Sequence, residues 1–156
     1  MILESGDKCF ALFVCKKYIN KESKNMKITF DKIASGVVML SKIKELNLGV
    51  PVDYWCMKNI KILSDDYTYY IKKLIEIYKE YCYKDENDQY CRFEDNTTIF
   101  NLKEDCNVEK FNEEMSALMT NECEVNPFVM SMKVWETLPN FQIDGHDSST
   151  IDFLLP

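Results

Sequence analysis

The chain's chemical repertoire is narrow. It holds seven cysteines, at positions 9, 15, 56, 82, 91, 106 and 123, and a single histidine, His146. No two cysteines are spaced Cys-x-x-Cys, so zinc ribbons, zinc fingers and thioredoxin-type motifs are not expected. A cysteine nucleophile needs a base, and His146 is the only imidazole, with Asp144 and Asp147 competing for it. Asp144-Gly145-His146-Asp147-Ser148-Ser149 contains the letters of a hydrolase triad. Triad members converge from separate elements, however, and no Gly-x-Ser-x-Gly elbow exists here. A turn followed by a helix cap is the expected role of that stretch.

The acidic groups fare no better as a catalytic set. Asp85-Glu86-Asn87-Asp88-Gln89 places oxygens as a calcium loop does, but the sixth and twelfth positions, which should be Gly and Glu, are Tyr90 and Asn96. A polar hairpin turn is expected instead. The pairs Glu113/Glu114 and Asp65/Asp66 are adjacent in sequence, so on a helix they diverge. Tyr67, Tyr69, Tyr70, Tyr78, Tyr81 and Tyr83 could stack on bases, yet the chain carries 26 acidic against 19 basic residues, a net charge of −7. Binding to nucleic acid needs Lys and Arg on the phosphates, so core packing or a protein contact suits these tyrosines better. No Gly-rich phosphate loop is present. No catalytic, cofactor-binding or metal residue is therefore assigned, no cofactor is expected, and the protein is expected not to be an enzyme.

The elements that would position these groups follow from length and pattern. The 156 residues, 46% of them apolar, suffice for one globular domain. The first 25 residues differ in composition from the rest, and MKITF from Met26 resembles a fresh start; residues 1–25 are read as a dispensable extension, either an appended element or a start-site artefact, ahead of one domain at 26–156. MILESGDK carries Glu4 and Asp7 where a secretory leader would be basic. The thiols are thus expected to be reduced and packed, in a cytosol. The run Cys9–Cys15 is too short to span a membrane.

Residues 26–30 suit a short strand. Asp31 is the expected cap of a helix carrying Ile33, Val37, Leu40 and Ile43 on one face, with Asn47, Gly49 and Pro51 ending it. Asp53 is the expected cap of a second helix running to residue 83. Its seam is Cys56, Ile60, Leu63, Tyr67, Ile71 (or Tyr70), Leu74, Tyr78 and Tyr81, and no Gly or Pro interrupts it. Such a helix, about 45 Å long at 1.5 Å per residue, needs a partner in the same chain or in another copy. A hairpin is expected around the 84–88 turn, flanked by Tyr81–Tyr83 and Gln89–Phe93, with 94–106 irregular. Asn107 caps a third helix burying Val108, Phe111, Met115, Leu118 and Met119. Strand segments are expected at 122–125, 128–134 and 141–143, and a short closing helix at 150–155, capped by Asp147 or Ser148. The fold class is therefore α+β: a long helix packed antiparallel on two shorter helices, with a small antiparallel β component. The charge is uneven along it. Residues 84–124 hold 4 basic and 12 acidic residues, a net of −8, whereas residues 1–83 are net +4.

Three segments, LNLGVPVDYWCMKNIKIL (46–63), LIEIYKEYCYKDENDQY (74–90) and EKFNEEMSALMTNECEVN (109–126), resemble in order and spacing a family of short uncharacterised phage and prophage proteins of Gram-positive bacteria. The resemblance spans roughly 27–155. That family's acidic turn usually closes with Gly where Asp88 stands here, and residues 1–25 have no counterpart in it. The family has no assigned activity and transfers no functional residue. The resemblance implies a phage or prophage origin and a non-enzymatic role. The expected function is that of a small virion-associated or morphogenesis protein working through protein–protein contacts, with the long helix as an oligomer contact. The alternative is an acidic protein that binds and blocks a host factor, by imitating nucleic-acid charge along 84–124. Neither nucleic acid nor membrane is expected as a partner, and the expected location is the host bacterial cytosol or the virion.

Overall fold

A computed structural model describes residues 25–132, 136 and 150–155 of the chain. The elements are β1 (Met26–Thr29), α1 (Phe30–Glu45), α2 (Val50–Tyr81), β2 (Cys91–Glu94), β3 (Thr97–Phe100), α3 (Val108–Thr120) and β4 (Glu122–Val125), followed by a 3₁₀ turn at Asp152–Leu154. The fold is α+β, with one long helix and two small antiparallel sheets. β1 pairs with β4, Met26 opposite Val125 and Thr29 opposite Glu122, and β2 pairs with β3.

The long helix is the spine. Its 32 residues span about 48 Å. Leu46–Gly49 turns the chain back, so that Phe30 at the start of α1 meets Tyr69 and Tyr70 far along α2, at ring distances of 5.6 and 6.2 Å. The two helices are thus antiparallel. The turn uses two left-handed residues, Asn47 (φ 53°) and Gly49 (φ 102°). Gly49 is the N-cap of α2, a conformation that a side chain would strain. Pro51 therefore lies inside the first turn of α2 and does not break the chain before it. Asp53 lies in that first turn too, favoured by the positive helix end, and is not the cap. At α1 the cap position is Thr29, and Asp31 sits one step inside. Asn107 does cap α3, its side chain accepting the Lys110 N–H at 3.0 Å.

Two apolar clusters share the spine. The larger joins Ile28, Phe30, Ile33, Val37, Leu40 and Ile43 to Val52, Trp55, Cys56, Leu63 and Tyr70, and is closed by Val125, Met130, Ile151, Phe153 and Leu154. The smaller holds Tyr81, Cys82, Phe111 and Met115, with Tyr78, Tyr90, Phe100, Leu102 and Cys106 packed around it. Of the expected seam, Cys56, Leu63 and Tyr81 are buried, and Ile60, Tyr67, Ile71, Leu74 and Tyr78 are half-buried. Val52, Trp55 and Asn59 are buried as well, because the first half of α2 is covered on a wider arc than a single seam. On α3, Phe111 and Met115 are buried and Leu118 half-buried, while Val108 and Met119 are exposed.

The strand expectations need correction in three places. The hairpin turn is Asp95-Asn96, not 84–88, and 97–100 is a strand. Both turn residues have positive φ, 47° and 60°, the signature of the type I′ turn that matches strand twist. The segments flanking 84–88 do not pair with each other. Each bonds to the stretch after β3: Tyr83 N–H to Asn101 O at 2.9 Å, and Asn101 N–H to Tyr90 O at 2.9 Å. Thirdly, the described part of the expected strand 128–134 is not a strand: Asn59 on α2 takes both backbone groups of Phe128, and residues 133–134 lie outside the described residues. The expected helix at 150–155 is instead the short 3₁₀ turn. The expected strand 141–143, the cap at Asp147 or Ser148 and the extension 1–24 lie outside the described residues.

The turn assignment carries a test. Asn96→Gly removes the steric cost of a left-handed residue and is expected to raise stability by up to about 1 kcal/mol. Asn96→Val is expected to lower it by about 1–2 kcal/mol. Chemical denaturation of the two variants measures both shifts; equal effects of the same sign would refute the turn.

Candidate functional site

The smaller cluster and its surface form an acidic lobe at the far end of the spine. Its floor is built by Asn101. This buried side chain donates to Gln89 O at 3.0 Å, while its backbone joins residues 83 and 90. The loop before β2 is held by Asp85, whose Oδ1 accepts the N–H groups of Asn87 and Gln89 at 2.9 and 3.0 Å. Those contacts spend the carboxylate on the chain's own backbone, the mark of an Asx turn. Asp88 takes the left-handed conformation (φ 64°) and pairs with Lys84 at 2.7 Å.

Every cation of the 84–124 segment is engaged. Lys84 is on Asp88 and Arg92 on Glu94 at 3.4 Å. Lys103 donates to Lys79 O and Glu80 O at 2.9 and 2.8 Å, covering carbonyls left open at the end of α2. Lys110 lies 3.6 Å from Glu80 and 3.5 Å from Glu114, over the ring of Tyr81, whose hydroxyl donates to Glu114 at 3.0 Å. These partners hold the Lys110 ammonium well above its ordinary range, first through Tyr81. Glu86, Asp95, Glu104 and Asp105 have no cation within ion-pair distance among the described residues. The lobe thus presents uncompensated negative charge.

An apolar side chain stands within it. In β2, Cys91 and Phe93 share a face, and Cys91 lies opposite Phe100, which packs into the smaller cluster. Phe93 continues that inward face past the edge of the cluster and is 73% exposed. Tyr83 is exposed as well.

The other groups weighed as candidates are dispersed. Tyr70 and Tyr81 are buried, Tyr67 and Tyr78 half-buried, and Tyr69 and Tyr83 exposed, so the tyrosines do not line one platform. Burial, then nearby Cys91, Tyr70 and Cys82, pushes the Tyr78 hydroxyl up to about 12. Burial, then Asp53, pushes the Cys56 thiol up to about 12, and burial with Asp66 pushes Cys123 to about 11. Both thiols stay protonated at neutral pH. Glu113 is exposed while Glu114 serves Tyr81, and Asp65 is more exposed than Asp66. The groove between α1 and α2, about 390 Å³, is lined mainly by Ala34, Val38, Met39, Tyr67 and Ile71, with no carboxylate, thiol or imidazole among its described residues. Among the described residues, no group of three or more His, Cys, Asp or Glu is set to hold a metal ion, and no helix is long and apolar enough to cross a membrane. His146 and the stretch Asp144–Ser149 lie outside those residues.

No protein-family model, curated protein or solved structure matches the chain. Its chemistry has to be read from its own surface. Asn101 and Phe93 are the residues that sequence reasoning missed. Asn101 carries no pattern in sequence. Phe93 does carry one, since the Asp95-Asn96 dipeptide between two β-prone stretches marks a hairpin with Phe93 near its tip.

Proposed function

We propose that the chain is a non-enzymatic protein of phage or prophage type that acts by protein–protein contact, through its acidic lobe and not through the seam of its long helix. The observation that carries this reading is Phe93, a large apolar side chain 73% exposed beside the hairpin turn, next to Glu94 and two residues from the unpaired Asp95, in the segment of the chain with the largest acidic excess. An aromatic anchor inside a charged rim suits a partner with an apolar pocket bordered by Lys and Arg, where charge steers the encounter and the ring supplies contact area. Cys56, Leu63 and Tyr81 of the α2 seam are buried by the chain's own elements and the other seam residues are half-buried, which leaves less apolar surface for assembly through the helix. The geometry therefore favours the host-factor-binding reading over the virion or morphogenesis reading.

The test is a photo-reactive phenylalanine analogue at position 93, introduced into the chain in a bacterial host. The expected result is a cross-link to a host protein at a Lys- and Arg-rich surface, lost when Glu94 and Asp95 are both changed to Lys. Cross-links to a second copy of the chain or to phage structural proteins would favour assembly instead and overturn the proposal.

A further inference from the structure

Three cysteines converge on the smaller cluster. Cys82 follows the last residue of α2 and pairs with Leu102 in an isolated bridge, while Cys91 opens β2 and pairs with Phe100. Leu102 and Phe100 are two residues apart in one extended stretch, and Asn101 between them bonds to both Tyr83 and Tyr90, so Cys82 and Cys91 lie along the same side of that stretch. Their side chains run parallel about 7 Å apart, wider than the Cβ separation a disulfide needs. Cys106 is placed differently. Lys103 N–H bonds to Tyr81 O at 2.9 Å, and the chain then turns tightly, Cys106 N–H reaching Lys103 O at 3.1 Å. That turn returns Cys106 to the end of α2, where it packs, half-exposed, against the cluster containing buried Cys82.

We propose that Cys82 and Cys106 are a thiol–disulfide exchange site that takes a low-molecular-weight disulfide of the glutathione type and closes an internal disulfide. The half-exposed thiol leads. Cys106, as thiolate, attacks one sulfur of the oxidised glutathione, forming a mixed disulfide and releasing one glutathione thiolate, which takes up a proton. Cys82 then loses its proton to solvent and attacks the Cys106 sulfur, releasing the second glutathione. Two protein thiols are oxidised to one disulfide, and one glutathione disulfide is reduced to two thiols. Burial, followed by the proximity of Cys106 and then Cys91, pushes the Cys82 thiol up, which makes the second step the slower one. The link closes a loop of roughly 25 residues that contains the whole hairpin, and so ties the acidic lobe to the spine.

The test uses the full chain with oxidised glutathione, read by intact mass and by peptide mapping after the remaining thiols are blocked. The expected product has lost two hydrogens, yields a peptide linked through Cys82 and Cys106, and melts about 5 °C or more above the reduced form. Cys106→Ser should abolish both the link and the shift, while Cys91→Ser should retain both. Cys106 is half-exposed, so the melting temperature of reduced Cys106→Ser provides the check on its folding. A stable glutathione adduct on Cys106, a link through Cys91 or any other thiol, or no reaction overturns the proposal.

Discussion

Leu63→Ala should lower the free energy of unfolding by about 2–5 kcal/mol, the range for a buried leucine cut back to alanine. Leu63 is 0% exposed, midway along the part of α2 that faces the larger cluster. Rigid helices lie around it, so the cavity has little chance to collapse, and the loss should fall in the upper half of that range. A loss of this size is a large share of the 5–15 kcal/mol that holds a typical domain together. Lys72 is exposed on the same helix, and Lys72→Ala should change stability by less than about 0.5 kcal/mol. Ile71 and Leu74 lie on the seam but are half-buried, so their truncation should cost less than that of Leu63. Because Leu63 is fully covered within one chain, unfolding curves of Leu63→Ala should coincide at low and high protein concentration. A neutral Leu63→Ala, or a midpoint that moves with concentration, would show that the helix is covered by something other than this chain.

Asn59→Leu should cost about 2–4 kcal/mol although it adds apolar surface to a buried site. Asn59 is 0% exposed. Its amide nitrogen donates to Phe128 O at 2.8 Å and to Trp55 O at 3.0 Å, and its amide oxygen accepts the Phe128 N–H at 2.9 Å. One side chain thus stands in for a strand, satisfying both backbone groups of a residue 69 positions away. Leucine has nearly the same volume but leaves the Phe128 N–H and C=O unpaired next to the core, and each buried unpaired group costs about 1–3 kcal/mol. The segment it anchors carries buried Pro127 and Met130. Two measurements follow: denaturant unfolding for the energy, and hydrogen exchange at the Phe128 amide, which should change from protected to fast. Wild-type stability together with a protected Phe128 amide would mean that the segment is held by other contacts.

The helices were the legible part of this fold because their signals are local. The spacing of Ile33, Val37, Leu40 and Ile43 depends only on the helical period, and all four are buried. Asn107 caps α3 through a hydrogen bond three residues along the chain. The long uninterrupted stretch from Val52 onward is α2. The caps at Asp31 and Asp53 were misplaced because an acidic residue is favoured throughout a first turn, not at the cap alone. The hairpin was misplaced because the acidic 84–88 stretch is also a turn, stabilised by Asp85. Two turns lie within a dozen residues, and composition favoured the wrong one.

Sequence alone determined the fold class, the long helix, the excess of acid along 84–124 and the position of β4. Each of these depends on neighbouring residues, on helical or strand periodicity, or on counting. Only the tertiary structure decided the remainder: that β1 pairs with β4 across 95 residues of chain, that Asn59 takes the place of a strand, that Asn101 knits three segments together, and that Phe93 overhangs the core instead of filling it. Strand pairing and side-chain exposure are set by which surfaces meet, and an alternating pattern such as Glu122-Cys123-Glu124-Val125 is compatible with many partners. Phe93 and Phe111 are the same residue type in the same lobe. One is exposed and the other buried because β2 reaches past the edge of the smaller cluster while α3 lies across it.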